Sequence, residues 1–349
     1  MYKKITMLHG AGGSESLELI KGEILKRFSY NKFDVPLDAL DDAAVVNGIV
    51  FKTDSHAVYP IFFPGGDIGR LAVCGTVNDI SMVGGKPIAL SLAIVMEEGL
   101  EFSVLEKVLD SIKLACEEAD VKIVTGDTKV VERGGVKEMI LNTAGIGVRS
   151  PYLDHNLAVA KNFRNISASW LLDSNVRPGD KIILSGYIGD HGIAVMSARK
   201  QYGISSDIVS DIQPLNHMVE EALKVGGVVA MKDPTRGGLS NLLYEWCDKS
   251  GVGIEIEESK IPLREGVKSA CEILGISPLE IGNEGKAVLA VVPEMAEKVL
   301  SALKCTREGK DAQIIGEAVS VHDKVVMKTV VGGRRIVPRP RGDPIPRIC

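Results

Sequence analysis

The sequence predicts an α+β protein with two domains and an extended C-terminal tail. A length of 349 residues accommodates two domains at the usual size of roughly 100 to 200 residues each. Apolar runs with strand and helix periodicity alternate along the chain, separated by acidic, glycine-rich turns. Glycine is abundant, at 37 residues, whereas aromatic residues make up only 5%. This composition is typical of an α/β or α+β enzyme whose backbone bends sharply or approaches a ligand closely.

The first domain is predicted to span residues 1–150. A helical stripe of apolar residues runs through 14–28, so the glycine loop at 9–13 leads into a helix N-terminus. The pattern then predicts strands at 43–50 and 58–63, a helix from 67 to 84, a strand at 88–96, a helix at 103–119 and a strand at 121–124.

The second domain is predicted to span residues 151–335, because periodicity is lost over 148–177 and returns in a strand at 181–185. The elements predicted after it are a loop at 186–192, a helix, a turn at 233–238, a helix to about 250, a strand at 253–257, a helix from 263 and a strand at 287–292. The last segment, 336–349, contains four prolines and three arginines, which exclude a helix or a central strand. We expect a flexible tail there.

Charge and cysteine usage exclude several classes of protein. Lysine and arginine total 41 against 46 acidic residues, a net charge of −5, so no excess of cations is available to neutralise a nucleic acid. The six cysteines form no CxxC pair and no zinc-ligand spacing. No apolar run has the length of a signal peptide or a membrane span. We therefore expect a cytoplasmic protein with no nucleic-acid or membrane partner.

Glycine loops raise the question of phosphate binding. The loop that contains Gly12 and Gly13 lacks the third glycine of a dinucleotide fingerprint, and no Gly-Lys pair has the context of a P-loop. The free N–H groups at a helix start can still bind an anion. A purely structural turn is equally consistent with this loop.

Acidic residues recur at strand ends and helix edges, and several carboxylates that meet at the phosphates of ATP would form a Mg²⁺–nucleotide site. Asp79 is the most informative, because it interrupts an apolar helical run where an unpaired carboxylate would be costly. A capping or turn role remains open for each of them. The candidates are Asp42, Asp54, Asp79, Asp127 and Asp233.

Three further side chains are candidates for acid–base or phosphate chemistry. Lys129 and the Glu284-Gly285-Lys286 segment can supply a cation and a base, and His191 lies in a Gly-Asp-His-Gly loop. Taken one at a time, each is more typical of an ordinary solvated or loop residue.

Cys349 is the last residue, at the end of the proline-rich segment. A prenylation motif is excluded because its cysteine would be fourth from the end. An exposed thiol on an extended arm of 14 residues suits a covalent carrier, since polyproline geometry gives a reach of about 40 Å.

Taken together, these motifs resemble the HypE family of hydrogenase maturation proteins. That family belongs to the superfamily of aminoimidazole ribonucleotide synthetase, selenophosphate synthetase and thiamine-phosphate kinase. The glycine and aspartate motifs are shared across the superfamily, whereas the Pro-Arg-Ile-Cys ending is specific to HypE. The motifs that carry the resemblance lie at 9–13, 40–44, 53–55, 62–66, 74–79, 124–130, 142–145, 189–192, 233–238, 283–286 and 346–349.

The resemblance implies an aminoimidazole ribonucleotide synthetase-like fold, a homodimer through the first domain, and ATP with Mg²⁺ in a cleft. It also implies a reaction in which the partner HypF loads a carbamoyl group onto Cys349 and ATP drives its dehydration to a thiocyanate. The cyanide ligand then passes to iron on a HypC–HypD scaffold.

The resemblance also assigns roles to residues. Cys349 is the carrier, Glu284 the base, Lys129 the group that orients the base or a phosphate, and His191 a weaker acid–base candidate. The implied metal ligands are Asp42, Asp54, Asp79 and Asp233. The implied nucleotide contacts are these four aspartates together with Gly12, Gly13, Thr53, Asn78, Asp127 and Thr128.

The chain departs from the family pattern in the stretch 151–170, which is longer than expected. The absence of a cysteine from the glycine loop argues against a selenophosphate synthetase. Two alternatives remain open: a small-molecule kinase similar to thiamine-phosphate kinase, and a nucleotide-binding assembly scaffold with no enzymatic activity.

Overall fold

Two β-sheets organise the chain in a computed structural model that describes residues 4–28, 32–204, 206–342, 344–345 and 348–349. A five-stranded sheet has the spatial order β1 (Ala44–Val46), β2 (Ile49–His56), β7 (Met139–Arg149), β5 (Gly85–Glu97), β6 (Lys122–Val131). A seven-stranded sheet has the spatial order β14 (Arg334–Ile336), β13 (Val325–Lys328), β10 (Gly253–Glu257), β12 (Gln313–Val319), β8 (Lys181–Leu184), β11 (Val288–Val291), β9 (Val228–Lys232). A small hairpin of β3 (Phe62–Phe63) and β4 (Gly66–Asp67) lies between β2 and β5 in the sequence. The alternation of helices and sheets confirms the predicted α+β class.

The first sheet is formed by residues between 44 and 149 and is covered on one face by two helices. Its strands pair antiparallel, except β5 with β6. The elements of this half are α1 (Ser14–Leu19), a π-helical turn (Ile20–Ile24), α2 (Leu25–Phe28), β1 (Ala44–Val46), β2 (Ile49–His56), β3 (Phe62–Phe63), β4 (Gly66–Asp67), α3 (Ile68–Met82), β5 (Gly85–Glu97), α4 (Phe102–Ala119), β6 (Lys122–Val131) and β7 (Met139–Arg149).

The second sheet follows with mixed pairing, in which β10 and β13 are the parallel pair. The elements of this half are α5 (Leu153–Lys161), β8 (Lys181–Leu184), α6 (Asp190–Ser197), α7 (Asn216–Val225), β9 (Val228–Lys232), α8 (Gly238–Ser250), β10 (Gly253–Glu257), α9 (Glu265–Leu274), β11 (Val288–Val291), α10 (Ala296–Lys304), β12 (Gln313–Val319), β13 (Val325–Lys328) and β14 (Arg334–Ile336).

Helix α3 is the central element of the first half, and it begins and ends where the sequence predicts. The Asp67 carboxylate accepts hydrogen bonds from the N–H groups of Gly69 and Arg70 and so caps the first turn. Nearly every residue of α3 is buried, because α4 covers one side and the sheet covers the other. A Cβ atom at Gly69 would lie 2.6 Å from the carbonyl oxygen of Val108 on α4, so only glycine permits this helix contact.

The segment between the sheets contains a helix that the sequence pattern does not reveal. In α5, one face of the helix is buried through Leu153, Asn156, Leu157 and Ala160. Asn156 interrupts the apolar stripe, and its side chain exchanges hydrogen bonds of 2.7 and 2.9 Å with the backbone of Val228. A buried asparagine thus interrupts the apolar stripe of a short helix and makes its pattern hard to recognise in the sequence.

The two hydrophobic cores each draw on both halves of the chain. One core joins Val50 and Ile80 to the strands of the seven-stranded sheet, and the other joins Leu71 and Val77 to Ile193 and Ile348. Because both cores are shared, the two halves of the chain pack against each other, and the site described below lies between them. Among the described residues, no helix has both the length and the apolar character needed to cross a membrane.

Candidate active site

A cavity of about 720 Å³ lies where the two halves meet. We call it the central cavity. Its walls are the glycine loop at 9–14, strand β2, helix α3, the segment 232–245, Glu284 and the C-terminal Cys349. Segments distant in sequence thus bring four of the predicted aspartates, Glu284 and the terminal cysteine into one cavity.

Three carboxylates converge in the central cavity. Asp42 precedes β1, Asp79 lies on α3 and Asp233 follows β9, and one oxygen from each lies within 4.8 Å of the others. Burial, together with the neighbouring carboxylates, raises the pKa of all three groups, to about 7 for Asp42. Carboxylates held this close favour either a shared proton or a divalent cation. The donor set fits Mg²⁺, which prefers oxygen ligands.

Two lysines neutralise part of this charge. The Lys52 ammonium lies 2.5 Å from Asp79, and the Lys232 ammonium lies 2.5 Å from Asp42. Burial opposes the charged form of Lys52, but Asp79 and Asp54 outweigh it and raise its pKa. For Asp54, the charges of His56 and Lys52 outweigh burial, so its pKa is lowered. The cavity therefore combines fixed cations with carboxylates, as binding of a metal–phosphate group requires.

Glu284 lines the central cavity with a residue exposure of only 3%. Burial raises its pKa well above the ordinary range, and the charge of Asp54 adds to the effect. Its backbone is fixed on both sides, because its N–H donates to the Asp211 carboxylate at 3.1 Å and its carbonyl accepts from the Asn78 amide at 3.3 Å. A raised pKa means that the ionised form of this carboxyl group is a stronger base than an ordinary glutamate.

Arg236 faces the end of the chain. The negative charge at Cys349 is the largest cause of its raised pKa, ahead of burial, Asp54 and Asp79. The glycine loop makes this placement possible, since a Cβ at Gly12 would lie 2.6 Å from the Cβ of Arg236, and Gly12 has a φ of +79°. A Cβ at Gly13 would lie 2.7 Å from the backbone of Arg341 in the tail. In this structure both glycines permit close backbone contact.

The tail, residues 336–349, is docked rather than free along the part that is described. The carbonyls of Val337 and Pro338 accept hydrogen bonds from Tyr244 and Ser240. Ile345 and Ile348 are fully buried, and the Cys349 carbonyl accepts from the N–H of Ala57 at 3.4 Å. Pro346 and Arg347 of the sequence motif lie outside the described residues. The sequence predicts an exposed thiol, whereas Cys349 is only partly exposed within the cavity wall.

His191 is placed differently from an acid–base residue in the cavity. It is fully buried at the start of α6, and its Nε2 lies 2.6 Å from the carbonyl oxygen of Ile348. Its Nδ1 lies 2.8 Å from the hydroxyl of Ser210. Burial lowers its pKa and favours the neutral ring. Both ring nitrogens are therefore engaged, Nε2 by the tail and Nδ1 by Ser210. His191 is not among the residues that line the cavity.

Two other predicted contacts are placed away from the cavity. Thr53 alternates with Lys52 and Asp54 on β2, so its side chain lies on the opposite, open face of the sheet, where Asn142 donates to it. Asn78 is buried and holds backbone instead, because it donates to the Glu284 carbonyl and accepts from the N–H of Leu215. Asn78 thus holds the backbone of Glu284 in place and is not itself part of the cavity wall.

The candidates on β6 are separated from the cavity within one chain. Asp127, Thr128 and Lys129 are exposed, and β6 is the edge strand of the five-stranded sheet. Strands β7 and β5 lie between β6 and β2, which places β6 about 14 Å from the strand that carries Asp54 at the usual strand spacing. A single chain does not bring Lys129 to Glu284.

Sequence reasoning missed the cations of the site. Lys52 stands two residues before Asp54 on a strand, so strand alternation was the signal that could have placed both on one face. Lys232 and Arg236 lie close to Asp233 in the sequence. They were overlooked because the motif was chosen for its aspartate and its glycines. No sequence signal identifies Ser210, since its role depends on the path of a loop.

The comparisons with known proteins agree with this geometry. The model of the AIR synthase related protein N-terminal domain matches residues 40–149, and that of the C-terminal domain matches residues 177–328. The chain therefore belongs to the AIR synthase related proteins.

Relatives of known name define the family more closely. A putative hydrogenase expression/formation protein of Methanocaldococcus jannaschii is 48% identical, over 99% of this chain and 100% of its own length. The carbamoyl dehydratase HypE of Bradyrhizobium diazoefficiens is 42% identical, over 99% of this chain and 96% of its own. The chain belongs to the HypE family.

Two solved structures are similar to this chain over most of its length. A crystal structure of a HypE–HypF complex has a chain that is 46% identical, with a TM-score of 0.82 and coverage of 92% of this chain and 99% of that one. A crystal structure of HypE in complex with ATP is 39% identical, with a TM-score of 0.78 and coverage of 99% and 100%.

Proposed function

We propose that this chain is an ATP-dependent carbamoyl dehydratase that acts on its own terminal cysteine in the cytoplasm and supplies the cyanide ligand of a nickel–iron hydrogenase. One observation carries the proposal: Cys349 lines the same cavity as the carboxylate cluster and Glu284. A carrier thiol, a metal–phosphate site and a buried base are the three parts that such a reaction needs. The names of the relatives support the same activity.

The proposed nucleotide site uses the carboxylates and glycines of the central cavity. Asp42, Asp79 and Asp233 would hold Mg²⁺, with Asp54 as a fourth acidic group beside them. The bound metal would neutralise phosphate charge during in-line transfer of a phosphoryl group. The N–H group of Gly13 at the start of α1 would contact the nucleotide. Gly12, whose own N–H donates to the Ser16 hydroxyl at 2.9 Å, would contact it through the rest of its backbone. ATP is bound in a related HypE structure.

The reaction begins with a carbamoyl group on the sulfur of Cys349, whose thiolate is the form that accepts it. The amide oxygen takes the γ-phosphoryl group of ATP, because an unmodified amide oxygen is a poor leaving group. The Glu284 carboxylate then removes N–H protons as the oxygen leaves with phosphate, and C≡N forms. The products are a thiocyanate on Cys349, ADP, phosphate and a proton released to solvent.

The proposed function gives the residues of β6 a role across the interface of a homodimer. The open face of the five-stranded sheet is rich in exposed apolar side chains, including Ile49, Phe51 and Val148, with exposures of 53%, 47% and 43%. Such a face is typical of a surface covered by another subunit. A second copy seated there would carry its Asp127, Thr128 and Lys129 toward the first cavity, where Lys129 could orient Glu284 or a phosphate.

Two further partners belong to the proposal. A HypF-type carbamoyltransferase would load Cys349, since a related HypE forms a complex with HypF. An iron scaffold of the HypC–HypD type would receive the cyanide. Both exchanges require the tail to leave the cavity, because Cys349 is only partly exposed when docked.

A small-molecule kinase would have no function for a tail that ends in a cysteine. A small-molecule kinase needs room for a second substrate beside the nucleotide, whereas the tail occupies that wall of the cavity. The scaffold alternative gives no role to a buried Glu284 with a raised pKa.

Intact-mass spectrometry tests the proposed reaction. Wild type and Cys349→Ala are incubated with HypF, carbamoyl donor and ATP, and Cys305→Ala, which lacks the exposed cysteine, serves as the matched control. We expect carbamoylation followed by the loss of one water in wild type and Cys305→Ala, and no change in Cys349→Ala. Modification that persists in Cys349→Ala would refute the carrier role.

A further inference from the structure

Next to the carrier cysteine, the docked tail is held by a side chain that no part of the proposed chemistry uses. His191 reaches the carbonyl of Ile348, the residue directly before the carrier cysteine, at 2.6 Å. A carbonyl oxygen only accepts, so His191 must carry its proton on Nε2. Its Nδ1 then accepts from the Ser210 hydroxyl at 2.8 Å. This assignment fixes one tautomer of the ring.

Ser210 is itself fixed by its surroundings. Its hydroxyl oxygen accepts from the N–H of Ile212 at 3.2 Å, while its own N–H donates to the Pro64 carbonyl at 2.8 Å. The Phe63 ring packs edge-on against the His191 ring, with 5.4 Å between the ring centroids. The histidine therefore has one orientation before the tail arrives, which lowers the entropy cost of docking.

Apolar contacts flank this hydrogen bond. Ile345 and Ile348 are fully buried, and each packs against a glycine. A Cβ at Gly192 would lie 3.2 Å from the Ile345 side chain, and a Cβ at Gly282 would lie 2.6 Å from that of Ile348. These apolar contacts require complementary shapes, but they do not fix the position of the tail along its own direction. The bond from His191 to the Ile348 carbonyl is directional, and Cys349 follows directly after Ile348 in the chain.

We propose that His191 and Ser210 form a latch that holds the Ile348 carbonyl and thereby positions Cys349 in the central cavity. The inference rests on the proposed function, in which the tail alternates between this cavity and partner proteins. His191 is a positioning residue in this account and takes no part in proton transfer to the carbamoyl group. Loss of its Nε2 donor leaves a buried carbonyl without a partner in the docked state and shifts the tail toward release.

Alkylation of Cys349 in the free protein tests the latch without ATP or a carbamoyl donor. The rate of iodoacetamide modification is followed on the C-terminal peptide by mass spectrometry, and the exposed Cys305 is the internal reference. We compare wild type with His191→Phe, which keeps a ring but has no donor, and with His191→Gln, which keeps an N–H group near the position of Nε2.

We expect the ratio of the Cys349 rate to the Cys305 rate to rise about tenfold in His191→Phe, as loss of one buried hydrogen bond implies, and to return toward wild type in His191→Gln. An unchanged ratio in His191→Phe, or an equal rise in both variants, would overturn the latch. Ser210→Ala removes only the tautomer-fixing hydroxyl and should raise the ratio several-fold, which keeps the test available if His191→Phe does not fold. Because no turnover is measured, a negative result here leaves the dehydratase reaction standing, and the converse also holds.

Discussion

The carboxylate cluster makes the stability of the metal-free protein depend on pH, and Asp42 is the residue that shows it best. Burial and the neighbouring charges of Asp79 and Asp173 raise its pKa to about 7, against the partial relief of Lys232. In the unfolded chain the pKa is the ordinary aspartate value of about 4. A folded-state pKa above the unfolded value means that the folded protein binds the extra proton, so stability falls as pH rises between these two values.

The magnitude follows from the shift. Each pKa unit corresponds to about 1.4 kcal/mol, so between pH 5 and pH 8 the ionisation of Asp42 should lower the free energy of unfolding by ~3 kcal/mol. Asp42→Asn removes this titration. Lys232 loses one partner in the variant but keeps Asp173 and Glu245 at 3.5 and 3.2 Å.

Urea denaturation with a metal chelator, at pH 5, 6, 7 and 8, measures the effect. The difference between Asp42→Asn and wild type should move in favour of the variant by ~3 kcal/mol across this range. Added Mg²⁺ should flatten the profile of wild type alone, because the cation stabilises the ionised carboxylates. A difference that stays constant with pH would refute the claim that Asp42 is a raised-pKa member of the cluster.

Three further substitutions test other parts of the account. Glu284→Gln removes the proposed base and should slow dehydration about 100-fold or more, while carbamoylated Cys349 accumulates and is seen by intact mass; normal turnover would exclude Glu284 as the base. Gly13→Ala places a Cβ 2.7 Å from the Arg341 backbone and should displace the tail, so alkylation of Cys349 should become several-fold faster than in Gly22→Ala, where nothing lies within 4 Å; equal rates would contradict the close contact. Phe51→Asp puts a charge on the open sheet face and should give a monomer in light scattering, whereas Phe102→Asp, also at an exposed site, should not; a dimer that survives Phe51→Asp would contradict the proposed interface.

The sequence predicts those features of the fold that depend on local pattern. Helix α3 was predicted from 67 to 84, and the structure places it at Ile68–Met82, with Asp67 as its N-cap. Helix α5 was missed because Asn156 occupies a core position where its polar side chain satisfies the backbone of β9. That compensation depends on a strand about 70 residues away, which no local pattern contains.

In the candidate site, too, some features follow from the local sequence and others depend on the fold. The acidic residues were recognisable because carboxylates in apolar or glycine-rich surroundings are unusual. The placement of Thr53 and Asn78 depends on strand alternation and on which loop packs behind α3, so their motifs did not reveal that they point away from the cavity. His191 was recognised as notable, but its role depends on where the last residues of the chain come to lie.

Isotope-labelled single turnover tests the central claim most directly. The protein carries a ¹³C-labelled carbamoyl group on Cys349, one equivalent of ATP is added, and infrared spectroscopy follows the labelled nitrile while ADP is quantified. The account predicts one labelled thiocyanate on the C-terminal peptide for each ADP formed. Release of ADP while the carbamoyl group stays intact, or formation of nitrile without consumption of ATP, would contradict it.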